Sequence, residues 1–268
     1  MPAHALALVL ASSLMHACWN VLLAGRRQMQ AASSAALLIG LVAFSPAIVL
    51  TWHFETAALP WLAASAALEL VYFVVLTYAY ERYELSLVYP VARGMGPVLL
   101  LAVGTGFLGV GAGVPDVVGV LLVSGGILLV RKPGKADLGG IVLAVLVGLC
   151  IMGFTLIDRE GIKHMATVPF FSLALAPVAI AGLALHRRAV VRNVDWRTAA
   201  VGLCMFGGYA FYLLALKHVA PHAAQATRES SIVWTTLLAA VVLKEKVTRR
   251  RVAGVCIVLA GVITIAVG

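Results

Sequence analysis

The chain has 268 residues, of which 62% are hydrophobic and only 12% are charged. Because a soluble domain carries about 25% charged residues, this composition excludes an ordinary soluble protein and predicts an integral membrane protein. A net charge of +9 would suggest nucleic acid as a partner of a soluble protein. Here most basic residues lie in short loops between apolar runs, so we expect the lipid bilayer as partner and no nucleic acid.

Ten apolar runs are long enough to cross a bilayer, whose core requires about 20 residues per helix. Pro133 and Gly134 in the linker 131–137 prevent a continuous helix between the fifth and sixth runs. The first run is full-length and has no basic leader, so we expect no removable signal peptide. The sequence predicts an all-α protein with five helices in each of residues 1–130 and 138–268. The predicted spans are 3–24, 31–52, 59–80, 85–108, 112–130, 138–157, 167–185, 197–216, 222–243 and 251–267.

The two halves of the chain resemble each other. Residues 85–130 and 220–265 match at an offset of 135 residues, half the length of the chain, which indicates a duplication. An odd number of helices in each copy inserts the second copy in the opposite orientation, as in many secondary transporters. We therefore expect ten transmembrane helices in two inverted five-helix repeats. Matched pairs include Arg93 with Arg228, Gly119 with Gly254, and Gly126 with Gly261.

The charges of the loops predict the orientation. Fifteen of the 20 basic residues lie on one side of the predicted spans, and only Arg159, Lys163 and Lys217 lie on the other. By the positive-inside rule the basic side faces the cytoplasm, which places both termini outside. We expect a multi-pass protein of the bacterial inner (plasma) membrane. The loops predicted to be cytoplasmic are 25–30, 131–137, 186–197 and 244–251.

Two arginines lie inside predicted spans. Arg93 lies between Pro90 and Pro97 with glycines at 94 and 96, which predicts a break in helix four. Arg228 is its equivalent in helix nine, followed by Glu229. Because a charge near the bilayer centre is costly, such residues usually face a partner or a cavity. They either line a cavity that binds an anion, since a guanidinium suits carboxylate or phosphate, or form structural ion pairs and helix-end contacts.

Glu69 lies near the middle of the third predicted span. A buried carboxylate there can carry a coupling proton, or it can act as the fixed counter-ion of Arg93 or Arg228. The sequence leaves both roles open.

Polar and aromatic side chains occur on the same predicted helices. As a group they resemble the lining of a site for a small polar solute. Individually, each is explained equally well by helix–helix hydrogen bonding or by anchoring at the membrane interface. The candidates are His16, Trp19, Asn20, Tyr72, Tyr89 and Tyr209.

No pattern of catalytic or metal-binding residues is present. Four cysteines lie singly in separate apolar runs, and neither a nucleotide-binding loop nor a catalytic motif occurs, so we expect no cofactor, no metal and no enzyme activity. The charged residues 158–160 are expected to lie in a solvated loop. Glycines spaced seven apart in helices five and ten indicate close packing or a dimer face, consistent with a monomer or a homodimer.

Four segments carry a family resemblance: HACWN (16–20), 85–101, GVLLVSGGILLV (119–130) and TRESSIVWTTLLAAVVLKE (227–245). Together they resemble the EamA-type transporters of the drug/metabolite transporter superfamily. The resemblance implies ten helices in inverted repeats, with helices one, three, four, six, eight and nine around a central cavity. Val110 departs from the family pattern, in which an acidic residue is common, and many relatives have cytoplasmic termini.

The resemblance and the intramembrane charges predict a transporter of a small metabolite that works by alternating access. Export of amino acids or small organic anions is the first expectation. The alternative is a flippase for a lipid-linked sugar or another amphipathic conjugate, which requires a lateral opening to lipid. A membrane-embedded enzyme would need a nucleophile, a metal set or an acid–base pair, none of which the sequence contains.

Overall fold

The computed structural model describes residues 1–24, 26, 28–130, 137–241, 244 and 247–268, without the side chains of residues 85 and 86. These residues form eleven α-helices, and a short 3₁₀ turn (Thr56–Ala58) precedes α3. The helices are α1 (Ala3–Leu23), α2 (Met29–Leu50), α3 (Leu59–Arg82), α4 (Leu85–Phe107), α5 (Val114–Val130), α6 (Leu138–His164), α7 (Thr167–Arg192), α8 (Trp196–Leu216), α9 (Pro221–Arg228), α10 (Ser231–Val241) and α11 (Arg249–Val267).

Eight helices in the described part of the chain are long and apolar enough to cross a membrane. They are α1 to α4, α6 to α8 and α11. The predicted fifth span is the shorter helix α5, of 17 residues, and the predicted ninth span is divided between α9 and α10. The protein is therefore an all-α membrane protein. Most of the predicted linker 131–137 lies outside the described residues, and so does Glu245 of the family motif.

The ninth predicted helix is interrupted, between α9 and α10, whereas the fourth, where the sequence predicted an interruption, is continuous. Helix α4 is continuous although Pro90 and Pro97 lie inside it. The Ser124 hydroxyl of α5 donates a 2.8 Å hydrogen bond to the Gly94 carbonyl, so a neighbouring helix supplies a donor in this stretch. Between α9 and α10 the backbone bonds span three residues, from Ser230 N to Thr227 O and from Val233 N to Ser230 O.

Helices six and seven are longer than predicted. Helix α6 continues to His164, two turns beyond the predicted end at residue 157, so Asp158 is helical and buried rather than part of a solvated loop. Helix α7 continues to Arg192 through a kink at His186. The extensions bring polar side chains of α6 into the helix bundle.

The bundle is built from contacts between the first and the second half of the chain. Helix α1 packs on α8, α2 on α7, α3 on α6 and α5 on α11, while α4 contacts α5, α6 and α9. Helices α5 and α11 approach at two glycine pairs. A Cβ atom at Gly119 would lie 2.8 Å from the Gly261 carbonyl oxygen, and a Cβ at Gly126 would lie 2.9 Å from that of Gly254. Only glycine permits this distance, and the order of the pairs makes the two helices antiparallel.

Loops of the two halves also meet at both ends of the bundle. At one end, Glu55 N donates to His164 O and Ala166 N donates to His53 O. Glu55 also pairs with the His164 ring at 3.0 Å, and this hydrogen bond lowers the pKa of Glu55. At the other end, Arg26 forms an ion pair with Asp195 at 2.7 Å.

Candidate functional site

Arg93 of α4 and Glu229 of the helix break form an ion pair between the two halves. Arg93 Nε lies 3.3 Å from Glu229 Oε2, and both side chains are largely buried, with exposed fractions of 12% and 4%. Gln225 Nε2 donates to the other oxygen, Glu229 Oε1, at 3.0 Å. The break places Glu229 here, and a hydrogen bond from Ser230 Oγ to Ser13 Oγ ties the break to α1. The Arg93 charge is therefore balanced inside the protein.

His16 of α1 is the third member of this cluster. Its Nε2 lies 2.7 Å from Arg93 Nη2. Because a guanidinium only donates hydrogen bonds, Nε2 must be the acceptor, which leaves the ring neutral with its proton on Nδ1. Within the described part of the chain, Nδ1 has no hydrogen-bond partner.

Arg228 has a different environment from Arg93. Its guanidinium carbon lies 4.5 Å from the ring centroid of Tyr212 and 5.6 Å from that of Tyr209. Such positions over aromatic faces are favourable for a cation. No carboxylate among the described residues lies within 4 Å of this guanidinium, and its Nε lacks a hydrogen-bond partner there. Arg228 is thus a cation that is held by aromatic rings and has no direct counter-ion.

Asp158 belongs to this site, although the sequence placed it in a loop. It is 1% exposed and accepts hydrogen bonds from Ser65 Oγ at 2.5 Å and from the Tyr209 hydroxyl. The tyrosine thus touches both Asp158 and Arg228. The apolar residues Ile157 and Ile162 lie in the same stretch. Helical continuation of this pattern was the signal that could have identified Asp158.

Glu69 lies close to the same group. Its side chain is buried, and it interacts electrostatically with Asp158 and Arg228. It accepts no hydrogen bond from the described residues and pairs with neither arginine directly. Among the described residues, Glu69 therefore makes no direct ion pair with Arg93 or Arg228, as a fixed counter-ion would.

The remaining candidates divide into two groups. Tyr72 contacts Phe154 edge to face, at 5.6 Å between centroids, and Tyr89 lies 5.9 Å from the Arg93 guanidinium. Both thus border the charged cluster. Trp19 touches the cluster only through the His16 ring, at 4.8 Å, and the Asn20 amide donates to the His16 carbonyl of its own helix.

Two surface pockets lie away from this cluster. One, of about 330 Å³, is lined by Arg187, Arg188, Val191 and Arg192 at the end of α7. The other, of about 420 Å³, lies at the ends of α6 and α8 and is lined by Arg159, Ile162, Lys163, Leu216 and Lys217. The described residues contain no group of three histidine, cysteine or acidic side chains that could hold a metal ion.

The fold and the buried charges define a helical membrane protein with a polar interior built from both halves of the chain. Residues 138–267 match the EamA-like transporter family. The chain belongs to this family and is an EamA-type membrane transporter of the drug/metabolite transporter superfamily, as its sequence motifs predicted.

Known structures agree with this assignment at the level of the fold. One crystal structure is 13% identical in sequence and matches 100% of this chain and 98% of its own chain, with a TM-score of 0.75. At this identity the likeness concerns the fold alone. No curated protein matches this chain.

Proposed function

We propose that this transporter moves a small organic anion or an amino acid by alternating access, with export as the expected direction. Its ten spans would form two inverted repeats, in which α9 and α10 together are the ninth span and α11 is the tenth. The substrate would bind beside Arg228, at the contact between the halves.

The helix contacts support the inverted repeat. In this scheme α1 corresponds to α6 and α3 corresponds to α8. When each helix is replaced by its counterpart in the other half, the contact of α1 with α8 becomes the contact of α6 with α3, and both contacts are present. The pairs of α2 with α7 and of α5 with α11 map onto themselves. Two antiparallel helices that meet at equivalent residues are related by a two-fold axis perpendicular to them, which for membrane spans lies in the membrane plane.

The loop contacts support it as well. In this scheme the connection between α1 and α2 corresponds to that between α6 and α7. The connection between α2 and α3 corresponds to that between α7 and α8. Exchange of the halves therefore turns the Arg26–Asp195 contact, between the α1–α2 and α7–α8 connections, into the Glu55–His164 contact, between the α2–α3 connection and the end of α6, so the two contacts are equivalent.

The observation that carries the proposed anion site is the unequal pairing of the two arginines. Arg93 is paired directly with Glu229, whereas Arg228 is held over Tyr212 and Tyr209 with no carboxylate of the described residues within 4 Å. A cation at this depth needs an opposite charge. A substrate carboxylate or phosphate would supply that charge, and the planar fork of Arg228 can bind two of its oxygens at once.

A ligand-stabilisation screen tests this proposal. Purified protein is heated in detergent with amino acids, organic acids, phosphonates and sugar phosphates, since a ligand of the native state raises the melting temperature. We expect anionic compounds to stabilise the wild-type protein and the Arg228→Ala variant to lose this response. Stabilisation that persists in Arg228→Ala, or is confined to uncharged compounds, would contradict the anion site.

A further inference from the structure

We infer that Asp158 takes up a proton when an anion binds beside Arg228, so that the transporter moves the anion and the proton together. The inference rests on the anion site proposed above and adds a second ligand, the proton, and the residue that binds it. Movement of one anion with one proton carries no net charge across the membrane. An acid made in the cell could therefore leave down its own concentration gradient.

The buried positive and negative charges of this site must balance. Arg93 and Glu229 neutralise each other at 3.3 Å, and His16 is neutral because it accepts from Arg93. The charges that remain are the Arg228 cation and the carboxyl groups of Glu69 and Asp158. One cation can balance only one carboxylate, and an uncompensated charge in a buried site is strongly unfavourable. One of the two carboxyl groups must therefore hold a proton in the resting protein.

Hydrogen bonding distinguishes the two acids. Asp158 accepts from the Ser65 and Tyr209 hydroxyls, one at each carboxyl oxygen, which stabilises the ionised form. Glu69 receives no such donor from the described residues. We therefore assign the resting proton to Glu69 and the resting negative charge to Asp158, which Tyr209 links to Arg228.

The other titratable groups near this pair do not alter the balance. Tyrosine and cysteine side chains are uncharged at neutral pH. The basic side chains of α7 are confined to its final turns. Arg159 follows Asp158 directly on α6, and neighbouring positions of a helix do not face each other. The uncharged neighbours on the packed helices are Tyr72 of α3, Tyr89 of α4, Cys150 of α6, and Tyr209 and Tyr212 of α8.

Anion binding disturbs this balance at one place. When the substrate carboxylate pairs with Arg228, the group of buried side chains is left with one negative charge in excess, which lies on Asp158. Uptake of one proton from water converts Asp158 to the neutral acid and restores neutrality, and no other bond changes. The Ser65 hydroxyl, which donated to the carboxylate, can then accept from the acid.

Infrared spectroscopy tests the proton assignment without any substrate. Protonated carboxyl groups have a C=O stretching band that carboxylates lack. At neutral pH we expect one such buried group in the wild type, with a band that shifts when glutamate carboxyl groups carry a heavy carbon isotope and not when aspartate carboxyl groups do. Because one cation balances one carboxylate, the acid that remains in Glu69→Gln or in Asp158→Asn is ionised, so each variant should lose the band. Arg228→Gln removes the cation as an anion would neutralise it, and should add a second group that Asp158→Asn then removes. The exposed Glu160→Gln serves as the control on the same helix.

The measurements on Glu69 and Asp158 test the proton assignment even if Arg228→Gln fails to fold. A band that shifts on aspartate labelling, or that persists in Glu69→Gln or in Asp158→Asn, would overturn the assignment. So would a folded Arg228→Gln protein with no second protonated group.

Proton uptake during binding tests the coupling, with acetate, lactate and benzoate as probes in weakly buffered detergent solution. We expect the wild type to take up about one proton per anion, with an affinity that falls about tenfold per pH unit above the linked range. Glu69→Gln, which keeps Asp158, should take up the proton as the wild type does, whereas Glu69→Gln/Asp158→Asn should bind with no proton uptake. Glu160→Gln should behave as the wild type. Binding without proton uptake in the wild type would overturn the coupling and leave the anion site intact. Failure of all three probes to bind would count against the anion site itself.

Discussion

Arg93 and Arg228 align at an offset of 135 residues in the sequence, yet their surroundings differ. Arg93 holds Glu229 and His16 together between α4, the helix break and α1. Arg228 lies over two tyrosine rings without a direct counter-ion among the described residues. The difference arises because only the second copy has an acidic residue directly after its arginine, where the first copy has Gly94.

Loss of Arg93 should therefore destabilise the protein, because Glu229 would remain buried without a partner. Removal of one member of a buried pair costs about 3–5 kcal/mol. We expect Arg93→Ala to lower the unfolding temperature clearly in detergent, and Arg93→Ala/Glu229→Gln to recover most of the loss. A double variant no more stable than Arg93→Ala would show that the pair is not the cause.

The site was only partly predictable from the sequence. The two arginines and Glu69 were identified because charges are rare in apolar runs. Asp158 was missed because it follows the apolar part of α6 within a run of three charged residues, which resembles a loop. The apolar residues Ile157 and Ile162 indicate that the helix continues past Asp158, but the partners of its carboxylate, Ser65 and Tyr209, are distant in sequence and no local pattern reveals them.

The helices, too, were only partly predictable from the sequence. Apolar length predicted the eight membrane-length helices of the described residues, but the prolines of α4 were a misleading sign of a break. A neighbouring helix can supply hydrogen-bond donors to a proline-containing helix, as Ser124 does for Gly94. The actual break, at Glu229 and Ser230, depends on contacts with Arg93 and Ser13 on other helices. Tertiary contacts therefore decided where the helix ends.

The pairing of α5 with α11 depends on glycine at the points of closest approach. A Cβ at Gly119 would lie 2.8 Å from the Gly261 carbonyl oxygen, whereas nothing lies within 4 Å of a Cβ at Gly125. We expect Gly119→Ala to destabilise the fold by about 1–3 kcal/mol, as overpacking does. Gly125→Ala on the same helix should be neutral or stabilising, and equal effects of the two variants on thermal unfolding would contradict this packing.

Asp195 links the α7–α8 connection to the α1–α2 connection at one end of the bundle. Its side chain accepts from Thr198 N at 2.8 Å, at the start of α8, and pairs with Arg26. The backbone hydrogen bond from Thr198, followed by the bond from Arg26, lowers the pKa of Asp195 from 3.8 to about 2.

A lowered pKa means that the carboxylate stabilises the fold fully above about pH 4 and loses this effect as the pH falls toward 2. We expect the melting temperatures of wild type and Asp195→Asn to differ by a constant amount between neutral pH and pH 4, and to converge below it. A difference that disappears near neutral pH would contradict the assignment.

The distribution of basic residues predicts how the protein lies in the membrane. In a background without the native cysteines, a membrane-impermeant thiol reagent applied from outside should label cysteines introduced at 53–58 and 109–115. It should fail to label cysteines at 25–30, 131–137, 186–197 and 244–251, which the charge bias places in the cytoplasm. The reverse pattern would put both termini in the cytoplasm, as in many relatives.

Transport by the Arg228→Ala variant is the most direct test of an anion carried through the contact between the two halves. Counterflow of the best ligand from the stabilisation screen is measured in proteoliposomes, with Arg82→Ala as the matched control. Arg82 also lies over a tyrosine ring, at 4.4 Å from Tyr78, but at the end of α3. We predict that Arg228→Ala abolishes counterflow, that Arg228→Lys restores part of it and that Arg82→Ala transports normally. Normal counterflow by Arg228→Ala at wild-type protein levels would contradict the account.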